Sequence, residues 1–223
     1  MKNQKAIIIG TGKLAEYVYM ALTHDSLYEV EAFSVEAAFN GHSNTLFGLQ
    51  IITLESLLES HPPGQFHVFI AVGNNALRER LFKKVKAMGF TCLSYLSSRA
   101  VLWPDLVCGE NVLVTELSGV QPFVTIGDNS ILFGARVGHH SVIGNHTLIS
   151  GCTLAGNVKV GDSTFIGLNV AVKENINIGE ANIIGMGSII VNDTSNGEVY
   201  LNAPTKRRDM PTNVKIKFSE KFL

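Results

Sequence analysis

Nowhere in this chain do apolar residues run unbroken for long. Near the N-terminus the run Ala6–Ile9 stops at Gly10 after four residues. That is too short for a signal peptide and far below the ~20 residues of a membrane-spanning helix. A cytoplasmic protein without a membrane span is expected. Cysteine is scarce as well: Cys92, Cys108 and Cys152 stand far apart and none forms a Cys-x-x-Cys. A disulfide scaffold is thereby excluded, and buried thiols in a reducing compartment are expected. Charge of one sign is missing too. Lys and Arg number 18 against 19 Asp and Glu, with no long basic run, so non-specific nucleic-acid binding lacks electrostatic support. His139, His140 and His146 cluster, but no carboxylate or cysteine joins them at ligand spacing, and no metal is expected.

Hydrophobic residues make up 46% and charged residues 17%, so the chain has ample apolar surface for a core. Glycine is abundant, 21 in all, with most of the excess after Gly109. The asymmetry points to two architectures in one chain.

In the first, "KAIIIGTGKLAEYVYMAL" reads as strand, glycine turn and helix. Gly10-x-Gly12-x-x-Ala15 permits a tight turn and close backbone approach, and the helix start offers free N–H groups to a phosphate. "YEVEAFSVE" reads as a second strand, followed by a loop and a helix at Leu54–Ser60. "HVFIAVGNN" is a third strand ending at Gly73-Asn74-Asn75; "ALRERLFKKVKAMGF" is an amphipathic helix and "TCLSYL" a fourth strand. Strands alternating with helices imply a parallel sheet. Glu29, Glu31 and Glu36 are only loosely placed to hold a dinucleotide ribose, and the domain is short, so a mononucleotide-type diphosphate fits better than NAD. Gly10, Thr11, Gly12, Gly73 and Asn74 are the candidate ligand-binding positions at the strand ends.

In the second architecture, aliphatic residues recur six apart at Val160, Ile166, Val172, Ile178, Ile184 and Ile190. Glycine follows four of them, at Gly161, Gly167, Gly179 and Gly185. A helix of period 3.6 does not produce this, nor does strict alternation. The pattern is a hexapeptide β-helix, with one short strand and one corner per unit and about 18 residues per coil. From Ile126 to Ile143 and from Ile143 to Val160 the spacing is 17, so two coils have lost a residue or bend at a corner.

The segments "IIIGTGKLAEY", "FIAVGNNALRERL", "VQPFVTIGDN", "GHHSVIG", "LAGNVKVGDSTFIG" and "EVYLNAPTKR" together resemble the bacterial nucleotide-sugar acetyltransferases, among them the bacillosamine and perosamine N-acetyltransferases and the sialic acid O-acetyltransferases. The resemblance spans about residues 5 to 208. It implies a Rossmann-like parallel α/β domain over residues 1–100 that binds the nucleotide-activated sugar. It also implies a left-handed parallel β-helix over 101–211 and an extension over 212–223. Further implications are a homotrimer, acetyl-CoA bound between neighbouring subunits, and a place in surface glycan synthesis.

On the same footing His139 takes the catalytic-base position, and histidine suits a base that is neutral near pH 7. His140 stands where the family usually carries an acid, so it cannot fix the His139 tautomer as an anion. Gly156 matches a glycine whose N–H stabilises the oxyanion. Gly167, Leu168 and Gly185 fall where relatives pass the pantetheine arm, and Lys206, Arg207 and Arg208 where the phosphates of coenzyme A arrive. Relatives often place an asparagine in the coil before the histidine to receive the sugar amine. Here "ILFGARVGHH" offers Arg136, which leaves N- and O-acylation, and longer acyl groups, open. A non-catalytic sugar-nucleotide binder is the alternative outside enzymes. Cys152 is read as buried filler, and Phe123, Phe133 and Phe165 as part of a flat face that packing of three prisms would cover.

Overall fold

A computed structural model describes residues 2, 4–39 and 44–207. Its N-terminal part contains β1 (Gln4–Ile9), α1 (Lys13–His24), β2 (Tyr28–Val35), β3 (Thr45–Leu46), β4 (Leu49–Thr53), α2 (Leu57–Ser60), β5 (Phe66–Ile70) and α3 (Asn75–Ala87). The sheet order is β3-β4-β2-β1-β5. The side chains of β1 alternate between two layers. Ala6 and Ile8 meet Ala15, Val18 and Leu22 of α1, and Ile7 and Ile9 meet Leu81, Phe82 and Val85 of α3. A strand buried on both faces must be apolar at every position, and "AIII" is.

The sheet departs from the sequence reading at two points. The expected loop after β2 holds a hairpin, and only β3 in this sheet runs antiparallel. Its turn is Phe47-Gly48, both at positive φ, the two-residue geometry that matches strand twist. With phenylalanine in place of asparagine, the usual turn signal is hidden. The expected fourth strand "TCLSYL" is divided. Cys92 bridges to Val68 of the sheet, while Tyr95–Leu96 pairs with Leu113–Val114 and opens the second architecture.

That second architecture is a left-handed parallel β-helix. Face one starts at Tyr95–Leu96, face two at Val101–Leu102 and face three at Val107–Cys108, and every strand pairs in parallel with the next coil. Val160, Ile166, Val172, Ile178, Ile184 and Ile190 point inward, none more than 4% exposed. At nearly every corner one residue adopts φ between 53° and 65°, for example Asn111, Asn129, His140, His146, Asn157 and Asn175. Asparagine and histidine tolerate this left-handed region better than most side chains. The two short coils are real: Ile126 pairs with Ile143, and Ile143 with Val160. Each loses its residue between faces one and two, at Gly134 and Gly151, both at positive φ.

The corner motifs have a mechanical cause. Asp128 Oδ1 accepts the Glu110 N–H, Asn145 Oδ1 the Asp128 N–H and Asp162 Oδ1 the Asn145 N–H, at 2.7–2.8 Å. Each Asp or Asn after "IG" or "VG" therefore satisfies a corner N–H of the coil before.

The α/β part leans on face one. Phe133, read from sequence as part of an open face, is instead half-buried under Tyr17 of α1, ring edge to ring face at 5.9 Å. Phe165 also lies in face one, whereas Phe123 is an exposed corner residue, so the three do not share one free face. No helix among the described residues is long and apolar enough to cross a membrane. Arg208 and the proposed extension 212–223 lie outside the described residues.

Candidate active site

Face two carries an open cleft of about 770 Å³, lined by Gln121, Arg136, Gly138, His139, Thr153 and Gly156, with Trp103 at one end. The β-helix register brings these together. Arg136 stands beside Thr153 on the next coil, and its Nε and one terminal nitrogen donate to Thr153 Oγ1 at 3.1 and 2.8 Å.

His139 precedes the left-handed corner residue His140 where face two turns into face three. Gln121, one coil earlier, accepts the His139 backbone N–H on its Oε1 at 2.9 Å. The His139 carbonyl accepts the Asn157 N–H at 2.7 Å. His139 is thus pinned by its backbone from both neighbouring coils. Its ring lies over Gly156: a Cβ on Gly156 would sit 2.6 Å from His139 Cε1 and 2.8 Å from Nε2. A side chain at 156 would push the imidazole off this position.

Among the described residues, no hydrogen bond takes up the Gly156 N–H. The reason is one coil back. Gln121 reaches forward to cap His139, but the matching residue before Gly156 is Gly138, which has no side chain. None would fit there, because a Cβ on Gly138 would lie 2.5–2.6 Å from Ala155 C and O and from Gly156 N. The cleft therefore holds an imidazole and an uncommitted N–H side by side.

His140 does not line the cleft. It sits behind His139, the two Nδ1 atoms 3.0 Å apart and the rings nearly perpendicular at 88°. His146 belongs to a different corner, with Nδ1 2.8 Å from Asn129 Nδ2. The three histidines do not converge. Cys152 is buried, and burial pushes its thiol up to about 12, which leaves it inert near neutral pH.

The other candidates lie elsewhere. Gly167, Leu168 and Gly185 stack at the corner between faces one and two on later coils, Leu168 exposed and Gly185 close against Leu201. Lys206 and Arg207 are exposed beyond the last strand. At the α/β strand ends a smaller cavity, about 150 Å³, is lined by Gly10, Thr11, Glu36, Phe39, Val72 and Leu77 among others. Gly10 is obligatory, at φ +119° with a Cβ that would strike Ala71 O at 2.8 Å. Gly12 and Gly73 are not, since a Cβ on either meets nothing within 4 Å. Gly12 caps α1 without a side-chain hydrogen bond, whereas Asn74 caps α3 by accepting the Leu77 N–H. Glu36 stands at the end of β2, but Arg80 and Lys84 hold its carboxylate, with a pKa lowered to about 2 chiefly by Arg80.

The sequence reading passed over Gln121, Gly138 and Arg78. Gln121 lies 18 residues before His139, one short coil of 17 plus one residue, so the repeat itself carries that signal. Arg78 carries no such signal. It looks like a surface arginine of an amphipathic helix, yet it is fully buried. Its guanidinium donates to the carbonyls of Val72, Gly73, Asn129, His146 and Thr147 and to Asn75 Oδ1, at 2.9–3.3 Å.

Residues 5–85 match the family model described as the PglD N-terminal domain. The acetyltransferase domain of PglB from Neisseria gonorrhoeae, solved with acetyl coenzyme A, is 25% identical, with 88% of this chain and 95% of that one covered at a TM-score of 0.80. A histidine-to-asparagine mutant of perosamine N-acetyltransferase from Caulobacter crescentus, solved with CoA and GDP-perosamine, is 27% identical. The match covers 92% of this chain and 97% of that one at a TM-score of 0.79. WeeI from Acinetobacter baumannii, 22% identical, shares the fold over 88% of this chain and 96% of its own at 0.75.

Proposed function

We infer, for a chain that opens with a PglD-type N-terminal domain and resembles nucleotide-sugar acetyltransferases over most of its length, that it transfers an acetyl group from acetyl-CoA to the amino group of a nucleotide-linked amino sugar. The observation that carries this reading is the pairing of His139 with the uncommitted N–H of Gly156 in the face-two cleft. Acyl transfer from a thioester needs a base for the acceptor proton and a fixed donor for the developing oxyanion. The acceptor amine attacks the thioester carbonyl, His139 takes its proton, and the Gly156 N–H holds the oxyanion. No acyl-enzyme is invoked, since the thiol nearby, Cys152, is buried and inert.

The division of labour follows the two architectures, which meet at Tyr95–Leu96, a few residues before the boundary at 100 read from the sequence. The strand-end cavity, lined by Gly10 and Thr11, takes the nucleotide diphosphate, with Gly12, Gly73 and Asn74 on the adjoining turns outside its lining. The open approaches at Gly12 and Gly73 support this, since nothing in the fold itself forbids side chains there. Gly167, Leu168 and Gly185 pass the pantetheine arm, and Lys206 and Arg207 meet its phosphates. The α/β part occupies face one and the cleft opens on face two. A homotrimer of prisms side by side brings one subunit's face one next to the neighbour's face two. Exposed Val101 and Ile189 on face two, 71% and 74%, are apolar surface that such packing covers. We place the enzyme in the cytoplasm, supplying surface glycan synthesis.

Arg136 favours keeping a second acceptor in view. A guanidinium lining the cleft repels an ammonium, so hydroxyl acceptors stand beside amines. The test is thiol release from acetyl-CoA with UDP-, dTDP- and GDP-linked amino and hydroxy sugars, beside His139→Asn. Release with an amino sugar, lowered about 10²–10⁴-fold in a still-folded variant, is expected. Release that survives the substitution overturns His139 as base, and release with hydroxy sugars alone overturns N-acetylation.

A further inference from the structure

The residue after the base is a histidine at a place where the chemistry asks for an anion. The geometry around it shows a substitute. His139 Nδ1 and His140 Nδ1 are 3.0 Å apart, a hydrogen-bond distance that two rings reach only if one carries the proton and the other does not. His140 is held for this contact. Its φ of +60° turns it back at the corner, its N–H donates to Pro122 O at 3.1 Å, and the Phe123 ring packs on it with centroids 4.6 Å apart.

We propose that His140 is a positioning residue whose neutral Nδ1 accepts the Nδ1–H of His139, so that His139 Nε2 carries the bare lone pair on the cleft side. This rests on the reading of His139 as the base. The opposite arrangement, with His140 donating, would leave His139 protonated on Nε2 and unable to accept. No carboxylate hydrogen-bonds either ring among the described residues. The charged neighbours are accounted for. Asp105 is occupied by the Phe123 N–H, Arg136 is tied to Thr153, and Glu174 lies on the coil beyond Gly156.

The proton balance closes without an anion. The acceptor heteroatom bonds to the acyl carbon and gives its proton to His139 Nε2. The resulting imidazolium donates a charge-assisted Nδ1–H···Nδ1 bond to His140, which shares the charge. As the tetrahedral species collapses the C–S bond breaks, and the thiolate takes the proton from Nε2. Both rings return to neutral.

Two measurements test this, one needing no substrate. In protein labelled with ¹⁵N-histidine, with signals assigned by His139→Asn, the resting His139 should show a protonated Nδ1 and a bare Nε2. It should keep that form in His140→Asp and lose it to a tautomer mixture in His140→Ala. Alanine is tolerated at this conformation, as Ala181 shows at another corner. In turnover, His140→Asp should retain most of kcat. His140→Ala should lose about tenfold or more in kcat, with KM for both substrates little changed. A protonated Nε2 on resting His139, or a His140→Ala enzyme with wild-type kcat, overturns the proposal. If no acceptor reacts at all, the function is wrong, and the nitrogen spectra still decide the hydrogen bond.

Discussion

Gly156 lies under the His139 imidazole with no room for a methyl group. The corner around it is otherwise ordinary, with Asn157 in the left-handed position and Val158 buried. Gly156→Ala therefore displaces the ring rather than the coil. We expect kcat to fall about 10²-fold, the order that follows from misplacing a catalytic group by about 1 Å, with the melting temperature nearly unchanged. Thermal melting beside thiol release separates this from unfolding, and a large drop in Tm would show that Gly156 serves the coil instead. The roles of Gly138 and Gly156 are linked one coil apart. The first cannot carry a capping side chain, and the second consequently keeps its N–H.

At the scale of elements, α3 joins the two architectures. Arg78 ties its first turn, and the Val72–Gly73 carbonyls beside the strand-end cavity, to two corners of the β-helix. Asn75 adds bonds to the carbonyls of Ser163 and Thr164, and Asn111 exchanges bonds with Ile70. The guanidinium has no carboxylate partner among these bonds, and burial lowers its pKa to about 10. It stays charged at neutral pH because six oxygens surround it. Arg78→Met leaves five carbonyls and an amide oxygen without this donor. We expect a loss of about 3–5 kcal/mol in chemical denaturation, the range for breaking a buried charged network. A loss below 1 kcal/mol would mean that water replaces the guanidinium. α1 adds a second tie, where Tyr95 Oη, Ser97 Oγ and the Ser98 N–H all donate to Asp25 just after the helix.

Over the whole molecule, stability in a stacked coil is a sum over neighbours. The coils between about residues 95 and 165 are also clamped by the α/β part, through Tyr17–Glu116, Arg78 and Asn75. The last strands, Ile183–Ile184, Ile189–Ile190 and Val199–Tyr200, are held by their own stack. Amide hydrogen exchange should accordingly be slower in 113–154 than in 183–200, by mass spectrometry of peptides from native protein. Equal protection in both segments would mean that the stack, or its packing in an oligomer, outweighs the clamp.

The β-helix was legible because its signal is local and repeated. An aliphatic residue every six positions, with a glycine or Asn/Asp corner, can be satisfied by no helix, and the inward side chains then follow. The same count located the two short coils, though not the corner that absorbs the deletion, since Gly134 and Gly151 look like any other glycines until their φ is known. The hairpin β3–β4 escaped because its turn is built on Phe47, and "TCLSYL" misled because one apolar run serves two sheets.

By itself, then, the sequence determined the two architectures, the strand-helix-strand order of the first, the coil period of the second and the inward-facing set. It also supplied the resemblance that singled out His139 and Gly156. These depend on periodicity, turn chemistry and motif, which are written in neighbouring residues. Tertiary structure alone decided that Arg78 is interior, that Phe133 is covered by Tyr17, that His140 stands behind His139 and away from the cleft, and that the Gly156 N–H is left uncapped. Each of these depends on residues one coil or one domain away, His140 through Pro122 and Phe123 and the Gly156 N–H through Gly138, and such neighbours are known only once the chain is folded.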